Sequence, residues 1–124
     1  NHGNSVQVWD AASFTKVKEI PVGTGAYNIE PSPDGQWLIV TNKKAQSFSL
    51  LDARSLAEVV RVPTTKKIVH GVAWSPAGRY AFISQESIGA DPGAVDMFDL
   101  TTRKTVATVP VPAQPTGIAI LRIP

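Results

Sequence analysis

The chain has no cysteine, which excludes disulfides, thiolate metal sites and a covalently attached c-type heme from this segment. Histidine is nearly as scarce. His2 and His70 stand alone and far apart, with no second histidine or carboxylate at ligand spacing around either, so no metal site built within the chain is expected. No apolar run approaches the roughly 18 residues of a helical membrane span, and no signal pattern opens the sequence. No membrane span is expected, and the opening Asn1 is what a processed or cut product would show. Charge of one sign is missing too: twelve basic residues against ten acidic ones leave a formal +2. The densest basic points, Lys43-Lys44 and Lys66-Lys67, lack the clustered arginines and stacking aromatics of a nucleic-acid footprint, so no nucleic-acid partner is expected. Helix-forming stretches are also rare. Ala11-Ala12-Ser13 and the run Ala53 to Glu58 both follow an aspartate that recurs along the chain, and both read as turns.

What the sequence does contain is repetition. Ser32-Pro33-Asp34-Gly35 leads into Gln36-Trp37-Leu38-Ile39-Val40-Thr41-Asn42, and Ser75-Pro76-Ala77-Gly78 leads into Arg79-Tyr80-Ala81-Phe82-Ile83-Ser84-Gln85. Each is a Pro/Gly turn followed by a strand of β-branched and aromatic residues. Asp10, Asp52 and Asp99 each close a strand, and counting forward from them without a gap aligns Val17, Val59 and Val106, then Ile20, Val62 and Val109, then Pro21, Pro63 and Pro110. The repeat length is 42 residues from Asp10 to Asp52 and 47 from Asp52 to Asp99. Periods in this range mark propellers and solenoids.

The alternation of side chains decides between these two. In the strand ending at Asp52, Phe48 and Leu50 share one face while Leu51 takes the other, in the slot also held by Trp9 and Phe98. A four-stranded sheet that is apolar on both faces needs a neighbouring sheet on each side, which is the situation of a β-propeller blade. The expected fold is all-β, with blades of four antiparallel strands and an incomplete ring. Residues 5–10 and 16–22 are read as the outer strands of one blade. Strands at 26–32, 36–42, 47–52 and 57–62 form a complete blade spanning 26–62, strands at 69–75, 79–85, 94–99 and 105–110 another spanning 69–110, and 115–121 the inner strand of a closing blade. Rings close with four to eight blades. The expected partners are therefore the remaining blades of the same protein or homo-oligomeric copies, and the favoured reading is the C-terminal portion of a larger propeller.

These residues resemble the YVTN-type β-propeller repeat family. The naming tetrapeptide corresponds to Ile39-Val40-Thr41-Asn42 and more loosely to Phe82-Ile83-Ser84-Gln85, and Ile20-Pro21-Val22-Gly23 fits the same pattern. Ala77, in the place of the usual turn aspartate, and Gln85, in the place of the final Asn, depart from it. The resemblance implies kinship with surface-layer and periplasmic propellers, with lactonase-like enzymes and with heme-carrying domains, and an extracytoplasmic location, periplasmic or cell surface. It assigns no single function.

Candidate site residues come from position. Tyr27, His70 and Thr116 fall in one slot of successive inner strands, near where a propeller's central channel opens, and are the expected ligand contacts. His70 is of the residue type that senses a bound anion near neutral pH. Glu86 and Asp91 lie in the connection after Gln85, where the spacing to the strand-closing Asp grows from ten residues (Asn42 to Asp52) to fourteen (Gln85 to Asp99). Long loops on rigid scaffolds carry recognition, so these two are loop candidates for a cation or basic ligand. No Ser-His-Asp set, phosphate loop or paired-carboxylate spacing is present, and Gly23-Thr24-Gly25 lacks the helix of a dinucleotide site. No catalytic residue and no cofactor is expected in this segment. The expected function is a non-enzymatic scaffold or binding module for a protein or small-molecule ligand; the alternative is part of a lactonase-like or heme-carrying reductase propeller whose key residues lie mainly elsewhere.

Overall fold

The computed structural model describes residues 3–121; His2 lies outside them. The chain is built from two kinds of turn. At Ser32 and Ser75 the backbone N–H bonds the carbonyl of Trp37 and of Tyr80 at 2.8 Å each, and the serine hydroxyl accepts the return N–H at 3.0 Å in both. Gly35 and Gly78 sit at φ 70 and 71, the left-handed region that glycine enters without a Cβ clash. The second kind follows the recurring aspartate. The carboxylate oxygens of Asp10, Asp52 and Asp99 accept the backbone N–H of Ser13 at 2.7 Å, Ser55 at 2.7 Å and Thr101 at 3.0 Å. Phe14, Leu56 and Arg103 close these turns at φ 54, 54 and 56. The stretches of higher helix propensity are therefore turns, and no helix occurs among the described residues, so none is long and apolar enough to cross a membrane.

These turns join antiparallel strands: β1 (Ser5–Trp9), β2 (Lys16–Pro21), β3 (Ala26–Pro31), β4 (Trp37–Asn42), β5 (Ser47–Asp52), β6 (Ala57–Pro63), β7 (Ile68–Trp74), β8 (Tyr80–Glu86), β9 (Gly93–Asp99) and β10 (Lys104–Val111). They form a β1-β2 ribbon and two four-stranded sheets in the orders β3-β4-β5-β6 and β7-β8-β9-β10. Pro21, Pro63 and Pro110 lie on β2, β6 and β10, the outermost strands, where a missing N–H leaves no ladder bond broken on the free side. The expected all-β blades of four antiparallel strands are what the chain forms, and the ring they begin is not closed.

Two apolar layers hold the sheets face to face. Ile39, Phe48, Leu50 and Val62 of the first blade meet Val69, Val72, Ala81, Ile83 and Phe98 of the second. Phe48 and Phe98 cross edge-on at 5.1 Å between ring centroids. On the other side Val40 and Leu51 meet Ile20 and Val22, with Val6 and Val8 packed against them. Leu50 and Leu51, neighbours in sequence and both fully buried, thus serve opposite interfaces, as a period of two requires.

Residues 113–121 differ from the strand expected at 115–121, because they pair with no ladder. Their position is nonetheless fixed. Ser84 Oγ donates to Thr116 O at 2.8 Å, as Thr41 Oγ1 donates to His70 O at 3.1 Å one repeat earlier. The segment lies where the next blade's inner strand belongs, and it lacks a ladder because a ladder needs a second strand.

Candidate functional site

An irregularity in the inner strands sets the site. β3 pairs with β4 at Ala26↔Asn42 and again at Ile29↔Val40, so Tyr27 and Asn28 together oppose Thr41. β7 repeats this, with His70 and Gly71 opposing Ser84 between Val69↔Gln85 and Val72↔Ile83. These are β-bulges, which re-aim the side chains they carry. A hydroxyl satisfies the N–H each bulge frees: Asn28 N donates to Thr41 Oγ1 at 3.0 Å and Gly71 N to Ser84 Oγ at 2.9 Å.

The bulges bring Tyr27, His70 and Thr116 to one concavity of about 230 Å³, lined also by Asn28, Gly71 and Gly117. The Tyr27 and His70 rings meet edge-on, 5.3 Å between centroids and 86° between planes. Tyr27 is half exposed at 52% while His70 is buried at 6%. Two further side chains, both from the residue that follows Asn42 or Gln85, complete the cluster. Lys43 Nζ lies 4.7 Å from the centre of the Tyr27 ring, a cation–π distance. His70 Nε2 lies 2.5 Å from Glu86 Oε2. A carboxylate only accepts, so in this pair the imidazole Nε2–H is the donor.

Glu86 therefore does not belong to the loop in which the sequence places it. It ends β8, and its carboxylate turns to the channel side. Asp91 stays in the loop and lines a separate cleft of about 260 Å³ with Gln46, Thr65, Lys66, Lys67, Ser87 and Ile88. Ser87 Oγ ties that loop by donating to Pro92 O at 2.9 Å. The two loop candidates are thus parted: Glu86 holds His70, and Asp91 lines the loop cleft. Lys43 was missed from sequence, although its place after Asn42, matching that of Glu86 after Gln85, was the available signal.

At the far end of the strands, a third concavity of about 490 Å³ runs between Asp34 and Asp52. Both carboxylates are already taken up by turn N–H groups, Gln36 N at 3.0 Å and Ser55 N at 2.7 Å. The hydroxyl of Ser32 holds the Asp34 carboxyl below the usual aspartate range, and the backbone N–H of Ser55 does the same for Asp52. Among the described residues no three His, Asp or Glu gather as a metal cluster.

Blades of four antiparallel strands, packed face to face around inner strands whose bulges open on one mouth, define a portion of a β-propeller. Residues 3–73 match the family described as the cytochrome D1 heme domain, and the chain belongs to that family. Among solved structures it is similar to hydrazine synthase of Kuenenia stuttgartiensis, at TM-score 0.82 and 24% identity over 88% of this chain and 32% of that one. It is also similar to the Cps50 (Swd1) beta-propeller domain of Myceliophteria thermophila, at TM-score 0.68 and 14% identity over 94% of this chain and 31% of that one. At these identities the likeness is one of fold, and the chain spans about a third of either structure.

The family name raises the question whether these residues suit a heme. Heme iron takes an axial His, Cys, Met or Tyr. The one imidazole among the described residues has Nε2 committed to Glu86, and the Tyr27 ring beside it is held between that imidazole and the Lys43 ammonium. The concavity around it, at about 230 Å³, falls below the roughly 300–1,000 Å³ of pockets for drug-sized ligands. The residues present do not by themselves fit the group.

Proposed function

We propose that this chain is part of a non-enzymatic β-propeller binding module of YVTN-type repeats, belonging to a larger propeller and working outside the cytoplasm. Its ligand contacts gather at the channel mouth of Tyr27, His70 and Thr116, flanked by Lys43 and Glu86. The observation that carries this reading is the pair of equivalent bulges, which aim Tyr27 and His70 into one concavity with the Lys43 ammonium at its rim. Lys43 and the imidazole suit a small anion, with the Tyr27 and Thr116 hydroxyls as neutral donors.

The test is an NMR titration of the His70 imidazole with acetate and with inorganic phosphate. Binding shifts that resonance, and His70→Ala weakens affinity about tenfold, the equivalent of one charge-assisted hydrogen bond, without unfolding the blades. Contacts confined to residues 87–92, with affinity unchanged in His70→Ala, would move the site to the loop cleft. The second reading, part of a heme-carrying enzyme, is favoured by the family match over residues 3–73. A Soret band or stoichiometric iron in the natural full-length protein would replace the first reading by the second.

A further inference from the structure

The second complete blade departs from the first in several places, and the departures meet at the loop cleft. In the first blade Asn42 and Ser49 lie side by side, bonded at 2.9 Å. The crossover at residues 22–25 passes so close to them that a Cβ added at Gly23 would stand 2.5 Å from the Asn42 side chain. In the second blade Gln85 and Asp96 hold those slots, and the crossover is Thr64-Thr65-Lys66-Lys67. The connection from β8 to β9 is longer as well, residues 87–92 against 43–46 in the first blade.

Both replacement side chains grip the crossover. Asp96 is fully buried, and among the described residues no cation pairs with it. Its carboxylate instead accepts Thr65 N at 3.0 Å, Thr65 Oγ1 at 2.8 Å and Thr108 Oγ1 at 2.7 Å. Gln85 Oε1 accepts Lys66 N at 2.6 Å. From the other side Thr64 N donates to Gln46 O at 3.1 Å, and Gln46 Nε2 to Thr64 O at 3.2 Å. A buried charge is tolerated only with such bonds, and what this one holds still is the backbone that carries Lys66 and Lys67. Both lysines line the cleft of about 260 Å³, together with Ile88 and Asp91. Among the described residues neither ammonium has an ion pair, and Ile88 is 67% exposed. The lining residues all come from the two complete blades and the crossover between them, so the cleft is formed within this chain.

We infer that this cleft is a second binding site, separate from the channel mouth, whose ligand is an acidic peptide segment of a partner protein with one apolar side chain. Lys66 and Lys67 take its carboxylates, and because their backbone is already ordered, binding is spared that part of the entropic cost. Ile88 supplies an apolar contact that an inorganic anion would not use. Asp91, expected from sequence to attract a cation, is outnumbered by the two lysines and opposes the ligand's charge.

The test is a titration of the natural protein with the capped peptide acetyl-Asp-Glu-Leu-Asp-Glu-amide, read at the Ile88 methyl and His70 imidazole resonances. Ile88 shifts and His70 does not. Lys66→Gln combined with Lys67→Gln weakens binding about fivefold, the worth of two exposed ion pairs, and Asp91→Asn strengthens it about twofold. These substitutions spare the bonds of Asp96 and Gln85, which go to backbone N–H groups and to hydroxyls. A peptide with serine in place of leucine binds about threefold more weakly. Tighter binding without the lysines, or weaker binding without Asp91, overturns the proposal in favour of a basic ligand. A still Ile88 overturns it, as do equal Ile88 shifts with inorganic phosphate or equal affinity for the serine peptide. A shift at His70 in place of Ile88 assigns the peptide to the channel mouth and overturns it too, whereas the response of His70 to acetate or phosphate bears on the channel mouth alone.

Discussion

Leu50 shows how much one slot carries. It is fully buried between the two complete blades, and Leu50→Ala removes its methyl groups from a layer that cannot collapse without moving both sheets. The expected loss is about 2–5 kcal/mol in a denaturant titration, the range of buried Leu→Ala changes. Met97→Ala, in the same slot on the open face, costs distinctly less; equal losses would mean that the two faces are wrongly assigned. The turn aspartates behave differently because their worth depends on charge. The Ser55 backbone N–H and hydroxyl hold the Asp52 carboxyl below its ordinary 3.8. Since the folded value lies under the unfolded one, the turn's contribution is complete above that range and is lost as pH falls through the folded value. Asp52→Asn keeps an acceptor oxygen but not the charge, so it should weaken the fold at pH 7 and bring the variant and wild type closer together near pH 3. A stability gap that stays constant with pH would rule this account out.

At the scale of elements, the blades were legible in the sequence because turn residues and apolar alternation are local. Ser32 to Asn42 declares a turn and a strand whatever lies around it. The bulges were not legible. Tyr27-Asn28 and His70-Gly71 look like ordinary strand residues, and only the Thr41 and Ser84 hydroxyls, which belong to a neighbouring strand, hint that an N–H there leaves the ladder. The Glu86 partnership was hidden for the same reason, since sixteen residues separate it from His70 and the register that joins them is set by the bulge. The seating of 114–121 hangs on a close approach at Gly71, where an added Cβ would stand 2.9 Å from Thr116 O and 3.0 Å from Ser84 Oγ. Gly71→Ala should therefore displace 114–121 while β7 to β10 remain folded. Amide exchange of residues 115–121 reads this out, becoming faster in the variant while the rest of the sheet stays protected; an unchanged rate would show that the segment is held by something other than this approach.

For the molecule as a whole, the decisive contrast is between equivalent positions that are buried and exposed. Leu51 and Phe98 are completely buried while Trp9, in the same slot at one end of the stack, is 55% exposed, and Val109 at the other end is 57% exposed against 2% for Ile20. Each end therefore offers water the kind of surface that the interior buries against a neighbouring blade. Burying apolar area yields about 25 cal/mol per Å², and two faces of matching character on one molecule make a head-to-tail contact that open chains can propagate. The 124-residue chain should accordingly associate with itself as concentration rises. Sedimentation equilibrium should show mass increasing with loading, and Val109→Lys, which puts an ammonium on one open face without touching either buried layer, should shift the distribution toward monomer. A monodisperse, cooperatively folding monomer at all loadings would mean that Trp9 and Val109 are tolerated in water as they stand, and that the open faces do not drive assembly.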